Sequence, residues 1–154
     1  MQASSAPAVS APRAGWWVRF FAYFVDGLIF GIPAAIVGGI LSALAGGMTS
    51  STGEMNGGAL ALFYIIFFGA SIGYYVYFWT QRDGQTIMNK ALNIKVVRMD
   101  GSPITVGTGV VRWIGYLVND IIFGIPVGFI WAAFDANKQG WHDKLAGTIV
   151  VKTP

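Results

Sequence analysis

Cysteine is missing from this chain and charge is scarce. Without cysteine there is no disulfide and no thiolate metal site. With a single histidine, His142, no ligand set at metal-binding spacing arises, so neither a metal nor a cofactor is expected. Charged residues make up 11% of the chain, where an ordinary soluble domain carries about 25%. Basic residues are absent from Gly46–Gly58, which holds only Glu54. The remaining bases flank apolar runs, where membrane topology alone requires them, so a nucleic-acid role is not expected. No Walker loop, dinucleotide fingerprint, catalytic triad or zinc-protease motif is present, and no nucleophile, base and orienting group fall at workable spacing. An enzyme is therefore not expected.

What the chain has instead is apolar length. Apolar residues are 55% of the total and the mean hydropathy is +0.58. Two runs, Phe20–Ala45 and Ala59–Trp79, reach the roughly 20 residues needed to cross a bilayer. A third, Trp113–Phe134, is interrupted by Asn119-Asp120 and Pro126. The basic residues lie before the first run, between the second and third, and after the third. The positive-inside rule then puts Gly46–Gly58 outside the cytoplasm and the rest of the loops within it. The expected fold is an all-α membrane protein: two full transmembrane helices at about 18–45 and 59–79, a bent or re-entrant third segment at 113–134, and a small cytoplasmic β-sheet. Residues 1–15, rich in Ala, Ser and Pro, read as a disordered cytoplasmic tail and not as a signal peptide. Residues 16–154 read as a single membrane domain in a bacterial inner membrane. Strands are expected at Leu92–Arg98, Ile104–Val106 and Thr148–Val151, with a short helix at Thr86–Ala91.

The sequence also resembles itself. Val18–Pro33 (VRFFAYFVDGLIFGIP) and Val111–Pro126 (VRWIGYLVNDIIFGIP) agree at 9 of 16 positions, including Val-Arg, Tyr and the closing Phe-Gly-Ile-Pro. Gln85–Arg98 and Gln139–Lys152 agree more weakly, at Gln, Lys, Val-Val and a final base. If the copies share orientation, the third segment must enter and return, breaking near Asn119-Asp120 or Gly124–Pro126, because it is too short for two crossings. Three plain spans with the C-terminus outside rank second, since they would leave Lys138, Lys144 and Lys152 on the wrong side.

Few residues could carry chemistry. Asp26 is the only charged side chain within its apolar run. An ionised Asp near a bilayer centre costs about 2.5–3.5 kcal/mol on insertion scales, so an intramembrane acid is a functional candidate by default. Arg19 stands seven residues earlier on nearly the same helix face, about 10.5 Å away along the axis. The partner of Asp26 is expected from another element, Arg112 or Lys144, unless the carboxyl keeps a proton. Asn119 and Asp120 either line a cavity or cap a half-helix. His142-Asp143 reads as either a functional pair or a cytoplasmic pair that caps or bridges.

Taken together, Arg19 with Asp26, Gly84-Gln85-Thr86, Val96-Val97-Arg98, Asp100-Gly101-Ser102-Pro103, His142-Asp143 and Ala146-Gly147-Thr148 resemble the RDD family of bacterial membrane proteins over residues 15–152. The resemblance implies that Arg19, Asp26 and Asp143 are the signature arginine and aspartates. Where the family commonly has Gly-Lys, this chain has Met88-Asn89, with the base following at Lys90. The resemblance further implies transport, with cation/proton exchange in some members. The intramembrane acid leads to the expectation that Asp26 exchanges a proton for a cation, with Arg19 or Arg112 tuning its pKa. A chain with so few helices would need a homo-oligomer to enclose a path. The competing expectation is a non-transporting membrane scaffold that acts through a bound partner or lipid.

Overall fold

A computed structural model describes residues 9–47, 49–54, 56–123 and 127–154, with side chains except at 121–123. In chain order the elements are α1 (Trp16–Leu44), α2 (Gly57–Gln81), α3 (Ile87–Ala91), β1 (Ile94–Arg98), α4 (Val106–Phe123), α5 (Val127–Trp131), α6 (Trp141–Ala146) and β2 (Thr148–Lys152). The chain divides into two compact units, Asp26–Tyr74 on one side and Met1–Val25 with Tyr75–Pro154 on the other.

α1 and α2 are 29 and 25 residues long and are the two helices, among the described residues, long and apolar enough to cross a membrane. They follow from long apolar runs in which the backbone bonds are made within the helix, except at Pro33 of α1, which has no N–H to donate. α1 leaves Phe24, Leu28, Ile32, Ile36 and Ile40 exposed, a stripe of large apolar groups repeating every fourth residue. Within the 26–74 unit the helices run antiparallel. Phe30 packs on Phe67 and Tyr74 (ring centroids 6.1 and 5.4 Å), and the Ser42 hydroxyl donates to the Ala59 carbonyl at 2.8 Å. The close approach comes at Gly31 and Gly38, where an added methyl would lie 3.6 and 3.1 Å from the rings of Phe67 and Phe63. An added methyl at Gly27, Gly69 or Gly73 would meet no neighbour within 4 Å.

The other unit is built on a two-stranded antiparallel sheet, β1 against β2, with Val96 opposite Val150. The strand expected at Ile104–Val106 is not formed. Its Thr105 hydroxyl instead accepts the Thr108 N–H at 3.2 Å and starts α4, as an N-cap threonine does. Part of the segment expected to be a disordered tail runs beside β2: Lys152 N–H donates to Pro12 O (2.8 Å) and Ala14 N–H to Val150 O (2.9 Å). Val9 and Ala11 pack on the small core of Val97, Ile149 and Val151.

Each strand is preceded by a short helix built alike. Gln85 Nε2 donates to Ile94 O at 2.9 Å and Gln139 Nε2 to Thr148 O at 2.8 Å, each nine residues on. Asn93 and Gly147, the residues before the strands, both adopt positive φ. α3 is capped by Thr86, whose hydroxyl accepts the Asn89 N–H.

The third apolar segment differs from expectation in one respect. α4 runs through Asn119-Asp120 without a break, because Asn119 turns its side chain away to accept the Gly128 N–H at 2.5 Å. The alternative break, Gly124–Pro126, lies outside the described residues.

Candidate functional site: a carboxylate between two arginines

Three signature candidates separate into two places. Arg19 on α1, Arg112 on α4 and Asp143 on α6 converge, and all three are buried. α4 and α6 can meet because Gly115 has no side chain; a methyl there would lie 2.6 Å from the His142 Cα. Arg19 and Arg112 each form an ion pair with Asp143, one to each carboxylate oxygen. The same Oδ2 accepts the Gly140 N–H at 2.9 Å, and Oδ1 accepts the Thr148 hydroxyl at 3.3 Å. A carboxylate offers about four lone-pair sites, and here all four are taken. Burial opposes the charge of Asp143, but Arg112 and then Arg19 outweigh it and hold the carboxyl well below the usual carboxylate range.

The arginines are tied further. Arg19 also donates to Lys138 O, and Arg112 lies over the rings of Trp79 and Tyr116, 5.1 and 5.7 Å from their centroids. Two guanidiniums against one carboxylate leave one positive charge in excess, and the electron-rich ring faces offset part of it. His142 adds no charge. Burial pushes its pKa well below the ordinary value, Asp143 opposes that, and Arg112 and Arg19 reinforce it. Its Nε2 stands 3.3 Å from Arg19 Nη2. The same Nε2 lies 3.5 Å from Asp143 Oδ2. Tyr116 and Phe129 wall the imidazole, each with its centroid 4.6 Å away.

Asp26 is elsewhere, in the 26–74 unit, 1% exposed, and it accepts the Tyr74 hydroxyl at 2.6 Å. The expected pairing of Asp26 with Arg112 or Lys144 is corrected. Arg112 is held by Asp143, and Lys144 pairs with Asp135 at 2.5 Å. Asp120 is exposed on α4 and accepts the Tyr23 hydroxyl, while Asn119 caps α5, so capping is what the structure shows for Asn119. Sequence reasoning missed Thr148, Gln139, Trp79 and Tyr116 as supports. It gave Arg112 to Asp26 as a partner, although its register with Arg19 in the internal match marked it as that residue's equal.

A saturated carboxylate between two cations has no lone pair to offer a substrate and takes no proton near neutrality.

Comparison with known proteins places the chain in a family. The sequence profile of the RDD family matches residues 13–147. The chain is 34% identical to the uncharacterized protein YxaI of Bacillus subtilis, over 90% of its own length and 96% of that protein's. It is 31% identical to the uncharacterized membrane protein YteJ of the same organism, over 90% and 80% of the two lengths, and 29% identical to the uncharacterized protein RP437 of Rickettsia prowazekii, over 60% and 52%. No solved structure matches. The chain belongs to the RDD family.

Proposed function

We propose that this is a multi-pass membrane protein, not an enzyme, that exchanges a proton for a small cation at Asp26. α1 and α2 cross the bilayer, and the third segment folds back so that both chain ends face the cytoplasm, in a bacterial inner membrane. The observation that carries the reading is the Asp26 carboxyl itself. It sits inside a 29-residue apolar helix, is shielded almost completely, and holds a hydrogen bond from a tyrosine on the second long helix. Ionisable groups so placed mark proton relays and ion pathways. The exposed apolar stripe of α1 supports the bilayer placement, since soluble monomers rarely carry continuous apolar patches of that extent. A homo-oligomer would complete the pathway, and the likeness of the two helix–strand segments supports descent from a duplicated unit.

The test is proton-coupled cation flux in proteoliposomes. Wild type should give flux, Asp26→Asn should remove it, and Tyr74→Phe should weaken it, with all three proteins equally folded. Flux that is unchanged in Asp26→Asn removes that residue from the mechanism. A second reading, a non-transporting scaffold, is favoured by the saturation of Asp143, because the most deeply buried charges are spent on one another. That reading wins if no flux is seen and Asp26→Asn only lowers the melting temperature.

A further inference from the structure

A cleft of about 830 Å³ opens where α2 ends and α3 begins, lined among others by Gln81, Arg82, Gln85, Thr86 and Lys90. Two cations border it, and among the described residues neither Arg82 nor Lys90 has a carboxylate within ion-pair distance. Asp83, also on its wall, is already engaged by Lys95 at 3.1 Å. Arg82 rests over the Tyr77 ring, 5.7 Å from its centroid, which holds the guanidinium without neutralising it.

The corresponding place in the other helix–strand segment shows what is missing. Lys144 stands five residues after Gln139 as Lys90 stands five after Gln85, and Lys144 is met by Asp135 at 2.5 Å. Asp135 precedes Gln139 by four residues; the residue four before Gln85 is Gln81, which is neutral. One segment therefore carries its own anion against its lysine. The other presents the lysine, and an added arginine, to an open cleft.

We propose that this cleft binds a phosphoryl anion, which occupies the role that Asp135 fills beside Lys144. An arginine fork with a lysine point charge suits a phosphate oxygen set. The cleft lies immediately past Gln81, the last residue of a 25-residue apolar helix, which is the level at which lipid headgroups meet a spanning helix. The anion is either an anionic lipid headgroup or free phosphate. Only the headgroup source rests on the membrane reading above.

Full-length protein in neutral detergent is titrated with phosphatidylglycerol, with phosphatidylcholine and with inorganic phosphate, and bound molecules are counted by native mass spectrometry. Phosphatidylglycerol or inorganic phosphate should bind at least tenfold more tightly than phosphatidylcholine. Arg82→Gln and Lys90→Gln should each weaken binding about fivefold, and together about thirtyfold. Gln81→Asp, which supplies an internal carboxylate as Asp135 does, should weaken it at least as much as either single variant with no loss of melting temperature. Lys152→Gln, an exposed base on β2, should leave binding unchanged. Binding of inorganic phosphate without lipid identifies a soluble anion; binding of phosphatidylglycerol alone identifies a headgroup. Equal retention of both lipids with no phosphate bound overturns the proposal. So does a loss in Lys152→Gln equal to that in Lys90→Gln, because general basicity would then explain the affinity. Failure of the membrane reading would silence the lipid arm and leave the phosphate arm intact.

Discussion

Asp143 accepts from two guanidiniums, a backbone amide and a hydroxyl while nearly excluded from solvent. Its removal strands two buried cations, and breaking a buried pair in this way costs about 3–5 kcal/mol. Asp143→Asn should therefore lower the unfolding midpoint sharply in detergent. Asp83→Asn, at an exposed pair with Lys95, should cost about 1 kcal/mol or less, and equal losses in the two variants would refute the assignment of Asp143 as a clamp. The pH dependence follows from the same cluster. The Asp143 carboxyl is held below its ordinary range, so its contribution is present above the unfolded value near 4 and is lost only in stronger acid; between pH 5 and 8 it adds no slope. His142 is also depressed. Below about pH 6.5 the unfolded histidine takes up a proton that the native one refuses. Stability then falls with falling pH by up to about 1.4 kcal/mol per unit, and is fully retained above that value. Melting curves between pH 7.5 and 5.5 should show that slope in wild type and a flatter one in His142→Gln; parallel slopes would mean that the native imidazole titrates normally.

At the scale of elements, α4 packs closely on α6, a contact that depends on Gly115. A methyl there meets backbone 2.6 Å away and cannot be accommodated by a side-chain rotation. Gly115→Ala should destabilise by about 1–3 kcal/mol, as overpacking does, whereas Gly69→Ala, with nothing within 4 Å, should be neutral or stabilising by about 0.5–1 kcal/mol. If both are neutral, the helices are not in contact at Gly115. Elements differ in how far they could be read from sequence. The long helices were legible because an apolar run of membrane length is a local property, and Trp16–Leu44 and Gly57–Gln81 agree with the expected 18–45 and 59–79 to within two residues at each end. β1 and β2 were legible from their β-branched residues. Ile104–Val106 looked the same but became a helix start, since three residues cannot distinguish a strand from the approach to a capped helix. Arg19 was legible as a candidate through its motif, yet its partner was not, because Asp143 lies 124 residues away and pairing across that distance leaves no local pattern. The assignment of Arg112 to Asp26 failed for the same reason: which carboxylate an arginine meets is decided by packing.

At the scale of the molecule, the constraint that bears on topology is the pairing of the two ends. Pro12 and Ala14 exchange backbone hydrogen bonds with Lys152 and Val150, so the segment before α1 and the last strand share one side of the membrane whichever way the protein is inserted. If α1 and α2 both cross, the turn that joins them lies on the opposite side, and the stretch from α3 to β2 must begin and end on the side of the N-terminus. A third complete crossing is incompatible with that bonding, because it would carry β2 away from Pro12. The chain has no cysteine, so a single introduced thiol reports its side without background. Pro12→Cys and Pro154→Cys should react with a membrane-impermeant maleimide in one vesicle orientation, and Ser51→Cys in the other. Reaction of Pro154→Cys together with Ser51→Cys would instead mean three crossings, and with them the loss of the β2 contact to the N-terminal segment and of the returning third element on which the proposed topology depends.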